Sequence, residues 1–163
     1  MTRTLILMRH AKSDWGSLGL ADHDRQLNER GMRDAPALGG WLRMNGYLPD
    51  QVLCSTASRT RQTLDGLGLG APAVFLPALY HADPDILQHA LQQAQGHTVL
   101  MLGHNPGIAT FAAELLHDAP DHPRFDDYPT CATLVADFEI DSWADLSLGT
   151  GRALDFVIPA DLA

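Results

Sequence analysis

The chain is poor in cations and in cysteine. It carries 11 Lys and Arg against 20 Asp and Glu, a formal net charge of -9. That balance excludes the basic footprint with which proteins hold nucleic acid or an anionic membrane surface. Two cysteines, Cys54 and Cys131, cannot make a disulfide framework, and they stand in no zinc-ligand spacing. Long apolar runs are missing as well, so no segment reads as a membrane span. The start, Met1-Thr2-Arg3-Thr4 and four apolar residues, is too short for a secretory h-region, and the reducing cytoplasm is the expected compartment. There is no Walker-type glycine loop, no dinucleotide fingerprint and no carboxylate cluster for magnesium, so no cofactor is expected. The segment His117-Asp118-Ala119-Pro120-Asp121-His122 offers possible ligands, but it is a proline loop without ligand spacing. It reads as solvated surface, and no metal site is expected.

What is present is an ordinary soluble composition, 45% apolar and 19% charged over 163 residues. Residues 1–163 read as one domain with room for a proper core. Strands and helices alternate along it. Residues 3–9 form a continuous apolar run, as expected of a strand buried on both faces. Residues 12–30 are too rich in Asp, Gly and Asn to be regular throughout. A helix is predicted over 31–45, with Met32, Ala35, Leu38, Trp41 and Leu42 as its apolar stripe and Gly46 as its stop. A short strand over 51–54 leads into a helix capped by Ser55 or Thr56 and closed by the glycines near 66–70. A strand over 73–76, a helix over 83–95 with Pro84 in its first turn, and a strand over 98–102 follow. Asn105 is the expected cap of a helix over 106–117. Residues 132–139 and 152–158 alternate like a late hairpin. The expected architecture is α/β: a three-layer α/β/α sandwich with a mostly parallel sheet and a C-terminal antiparallel hairpin.

The chemistry-bearing residues fall at strand ends. Arg9-His10 closes the first strand, Arg59 opens the helix after the second, and His104 follows the fourth in Leu102-Gly103-His104-Asn105-Pro106-Gly107. Ligands bind outside the carboxyl ends of strands in such sheets, and helix N-termini attract anions. Arg9 and Arg59 can offer guanidinium forks to phosphate oxygens, His10 can act as a nucleophile, and His104 can donate. Taken singly, each has a plainer reading as a surface pair, a helical charge or a loop histidine. Jointly they converge on one anion. Ser13, Lys12, Arg25 and His81 are candidate substrate contacts, the first three from the long first loop.

Three segments in order carry a resemblance. Leu7-Met8-Arg9-His10-Ala11-Lys12-Ser13-Asp14-Trp15, then Ser55…Arg59…Gln62-Thr63, then Gly103-His104-Asn105-Pro106-Gly107 resemble the histidine phosphatase (phosphoglycerate mutase-like) superfamily, and within it the SixA-type phosphohistidine phosphatases. Ala11 stands where the superfamily usually has glycine, a change met in that branch. The resemblance implies that His10 becomes phosphorylated while Arg9, Arg59 and His104 complete the phosphate pocket. It implies a phosphorylated protein as substrate, such as a histidine-containing phosphotransfer protein, or else a small phosphorylated molecule. Mutase-type members have a glutamate proton donor after the third strand. Here that stretch reads Leu79-Tyr80-His81-Ala82-Asp83, without the acid. Two other readings remain open from sequence: a small general phosphomonoesterase for a metabolite or phosphoserine/threonine, and a non-catalytic phosphate-binding module.

Overall fold

In the computed structural model, which describes residues 1–15 and 19–163, six strands form one sheet in the order β3-β2-β4-β1-β5-β6. The strands are β1 Arg3–Arg9, β2 Gln51–Ser55, β3 Ala73–Leu76, β4 Thr98–Gly103, β5 Thr133–Phe138 and β6 Arg152–Val157. β1 to β4 run parallel, while β5 pairs antiparallel with β1 and β6 antiparallel with β5. The expected parallel sheet and closing hairpin are therefore both present. The helices are α1 Glu29–Met44, α2 Ser58–Leu67, α3 Pro84–Gln92 and α4 Gly107–Leu115.

The alternation of side chains along a strand explains the layers. Ile6 and Met8 of β1 join Val52, Leu100 and Leu102 under α1 and α2, which contribute Ala35, Leu38, Leu42 and Leu67. Leu5 and Leu7 face the other way with Val99, Met101 and Leu134, against Leu87, Leu91, Ile108 and Phe111 of α3 and α4. Both faces of β1 are sealed, which is why its sequence is apolar without a polar beat.

Several local expectations need correction. Met32 is exposed, because the buried stripe of α1 is Gly31, Ala35, Leu38, Gly39 and Leu42, one residue out of phase with it. Trp41 stays at the edge of the stripe, half-buried against that core and beside Tyr47, with ring centroids 5.6 Å apart. Neither Ser55 nor Thr56 caps α2; Ala57 takes that place without a side-chain bond. Asn105 lies one residue outside the cap of α4, which is Pro106, though its Oδ1 still accepts the Ala109 N–H at 3.2 Å.

Two close approaches tie loops to this frame. A Cβ on Gly31 would lie 2.1 Å from the Lys12 carbonyl oxygen, and one on Gly107 would lie 2.0 Å from that of Ala82. The second contact locks the start of α4 onto the turn that carries His81. Gly107→Ala must push these segments apart, and overpacking of this kind costs about 1–3 kcal/mol. Urea denaturation should show a lower midpoint with an unchanged slope, and turnover should fall with it.

Candidate active site

The β1–β4 register sets Arg9 opposite Gly103, so both chains leave the sheet side by side. The His10 N–H donates to the Gly103 carbonyl at 3.1 Å, and the His10 carbonyl accepts the Cys131 N–H at 2.9 Å. Thr63 of α2 reaches across, accepting the Ala11 N–H at 2.9 Å while donating to the Arg59 carbonyl at 2.7 Å. Arg59 belongs to the buried face of α2 and points over the strand ends. His10 and His104 come within 5.3 Å, ring centroid to ring centroid. The four residues expected from the motifs thus meet at one place.

Hydrogen bonds set complementary tautomers on the two histidines. The His10 Nδ1 lies 2.7 Å from the Ala11 carbonyl oxygen, which can only accept, so neutral His10 holds its proton on Nδ1 and keeps a lone pair on Nε2. The Ser55 Oγ accepts the Ala57 N–H at 3.3 Å and lies 2.8 Å from His104 Nε2, to which its hydrogen is assigned. Neutral His104 then carries its proton on Nδ1, a buried atom with no partner among the described residues. Arg9 Nε and Arg59 Nε are buried and unpartnered too among those residues. Both arginines act electrostatically on His10 and the His104 ring lies beside it, so these donors and the His10 lone pair suit a tetrahedral oxyanion.

Electrostatics keep both rings neutral. Burial, aided by the charges of Arg9, Arg59 and Arg25 and opposed by the bond to Ala11, brings His10 down to about 3. Burial again leads for His104, with His10, Arg59 and His81 adding to it, and takes it to about 2.

The other expected contacts are placed as follows. Arg25 donates from Nη1 to Ser13 Oγ at 2.7 Å and from Nε to Asp22 Oδ1 at 3.0 Å, and its guanidinium covers the Trp15 ring at 3.5 Å. Ser13 is therefore buried as an orienting partner of Arg25. Lys12 enters through its backbone: its carbonyl accepts the Asn28 N–H at 3.0 Å. His81 has a left-handed backbone, φ 50°, and brings Nε2 to 3.2 Å from Arg59 Nη2. Asp22, Ser55 and Tyr80 are site residues that sequence reasoning missed. Asp22 accepts from Arg59 Nη2 at 3.1 Å and from the Tyr80 hydroxyl. Its place three residues before Arg25 was the available signal, a weak one in a polar loop.

Fold and pocket together define an α/β protein that presents arginine and histidine donors to a phosphoryl-sized anion. A model of the histidine phosphatase superfamily (branch 1) matches residues 5–83. An uncharacterised protein of Mycobacterium tuberculosis is 39% identical over 159 residues, covering 93% of this chain and 99% of its own. A solved structure assigned as phosphohistidine phosphatase SixA from Nakamurella multipartitia is 35% identical, with a TM-score of 0.83 over 98% of this chain and 97% of that one. One assigned likewise from Agrobacterium tumefaciens is 28% identical, with a TM-score of 0.76 over 96% and 98%. The chain belongs to the histidine phosphatase superfamily, in its SixA-type branch, and is a phosphatase.

The neutral histidines carry a pH signature. Each has a folded pKa below its unfolded value near 6.5. As pH falls below 6.5 the unfolded chain takes up protons that the folded chain refuses. Stability is therefore full above that pH and declines as pH falls toward 3. In NMR titrations of the free protein, the His10 and His104 ring signals should stay constant between pH 5 and 8. A midpoint near 6.5 for His10 would contradict the assigned environment.

Proposed function

We propose that this phosphatase removes phosphate from a phosphorylated histidine on another cytoplasmic protein, a histidine-containing phosphotransfer protein being the fitting class of partner. The observation that carries the reading is the contact of His10 Nδ1 with the Ala11 carbonyl, which leaves a lone pair on Nε2, in a pocket shared with the buried Nδ1 of His104. His10 Nε2 attacks phosphorus, and the P–N bond to the substrate breaks with its electron pair going to the leaving imidazole. The Arg9 and Arg59 guanidiniums neutralise the charge on the equatorial oxygens, and neutral His104 donates its N–H to them. Water then attacks the phosphorus of phospho-His10, the P–Nε2 bond breaks with its electron pair returning to the ring, and neutral His10 is restored as dihydrogen phosphate departs with the water's oxygen and both its protons. The relatives assigned as phosphohistidine phosphatases support this substrate class.

The leaving group supports it as well. After β3, where mutase-type members carry a glutamate, the chain sets the rings of Tyr80 and His81 against His104, at centroid distances of 5.4 and 5.3 Å. An alkoxide needs an acid to protonate it as it leaves, an effect worth about a hundred- to ten-thousandfold, whereas a phosphorylated imidazole that already carries its proton departs as a neutral ring with little help.

Turnover of a phosphohistidine protein, an aryl phosphate and a phosphoserine peptide should fall in that order. Arg9→Ala and Arg59→Ala should each lower kcat by about a hundredfold or more, the scale of losing one transition-state donor. Equal turnover of the three substrates would overturn the reading in favour of a general phosphomonoesterase. Binding of phosphate without any turnover would leave only a recognition module.

A further inference from the structure

The rim of the pocket is chemically unlike its floor. His10, Arg59 and His104 are 5%, 2% and 3% exposed, while the side chains of Asp22 and His81 are 40% and 52% exposed. A group attached to phosphorus on the floor therefore lies at the level of Asp22, Tyr80 and His81. Tyr80 and His81 stack there with centroids 4.2 Å apart and planes 20° from parallel. Beside them stands the Asp22 carboxylate, with Oδ2 3.3 Å from His81 Nε2 and 3.1 Å from Arg59 Nη2. Its other oxygen accepts from Arg25 Nε at 3.0 Å.

A carboxylate at the entrance to a dianion site carries a penalty. It repels phosphate, and it occupies a guanidinium that phosphate needs. It is also firmly ionised. Burial pushes the Asp22 carboxyl up, but hydrogen bonds from Tyr80, Arg25 and Arg59 outweigh that and hold it below the usual carboxylate range. Such a charge favours catalysis only with a substrate that brings positive charge to the same level. A phosphate ester brings none. A phosphorylated imidazole protonated on its distal nitrogen does, and its flat ring matches the Tyr80–His81 stack.

We infer that Asp22 is a specificity-determining residue, whose carboxylate accepts the distal N–H of a phosphorylated imidazolium while the pocket floor holds the phosphoryl group. This rests on the phosphohistidine reading and supplies its selectivity. As His10 Nε2 bonds to phosphorus, the P–N bond of the substrate breaks toward the ring nitrogen. The distal proton stays in place, so a neutral imidazole departs and no proton has to be transferred. Esters meet the same carboxylate as repulsion alone.

The test is Asp22→Asn, which keeps the shape and removes the charge. A phosphohistidine peptide and an aryl phosphate are compared by kcat/KM, and inorganic phosphate is titrated as a competitive inhibitor. The phosphohistidine-to-aryl ratio should fall by about tenfold or more, the scale of one charge-assisted hydrogen bond. Inorganic phosphate should inhibit at lower concentration, because a like charge has gone. A residue that merely positions Arg59 gives another pattern: both substrates lose equally and phosphate binds more weakly. That pattern would overturn the inference. Asp22→Ser, a second neutral variant, must move the ratio the same way, which guards against a folding defect peculiar to Asn. Wild-type enzyme without a phosphohistidine preference defeats the substrate reading itself. A wild-type preference that survives Asp22→Asn and Asp22→Ser defeats the role of Asp22 alone.

Discussion

The pocket depends on the register between β1 and β4. Arg9 opposite Gly103 is what lets His10 and His104 leave the sheet together. A slip of one residue would turn Arg9 to the other face and separate the two motifs. Hydrophobic patterning cannot prevent that slip, since β1 is apolar on both faces. Polar contacts at the strand ends do so, because the loop that carries Tyr128 holds both: beyond β4, Asn105 Nδ2 donates to the Tyr128 carbonyl at 3.0 Å. The hydroxyl of buried Tyr128 donates to the Leu7 carbonyl and accepts the Leu134 N–H at 3.1 Å. The Arg9 N–H donates to the Ala132 carbonyl at 3.1 Å, and the carbonyl of Tyr128 itself accepts from Arg9 Nη1 at 3.2 Å. One loop thus fixes both the strand and the arginine at its tip.

An acidic protein assembles a cationic pocket by burying its arginines beside histidines that stay uncharged. Arg59 is 2% exposed and has Asp22 as its salt-bridge partner, which offsets the desolvation of an interior guanidinium. His10 and His104, held neutral by burial and by the arginines, add no further positive charge. Each instead presents a single defined atom, a lone pair on one ring and a proton on the other. The electrostatics of the pocket and its division of chemical labour therefore have the same origin, in burial at the strand ends.

Much of this was legible in sequence. The apolar runs of β1 and β4 end on the polar residues that define the pocket, so Arg9, His10 and His104 could be placed from local pattern alone, and Arg59 from its seat in the first turn of a helix. The misses have a common cause. Ser55 has the chemistry of a helix cap, but its hydroxyl is engaged by His104, 49 residues away. Asp22 sits in a polar loop among other acids, and beyond its local pairing with Arg25 it gains meaning from Arg59 and Tyr80, both far along the chain. Met32 fits an apolar stripe by count, yet lies about 100° around the helix from Gly31, whose close approach to Lys12 sets the phase of α1. Long-range partners, invisible to spacing, decide each of these.

The most direct measurement is capture of the intermediate. The enzyme is exposed briefly to a substrate labelled in its phosphoryl group, quenched without acid and mapped by peptide. An acid-labile, base-stable label should appear on His10 and be absent from His10→Ala, a variant that remains folded and lacks turnover. Label on another residue, or turnover by His10→Ala at the wild-type rate, would contradict a nucleophilic His10.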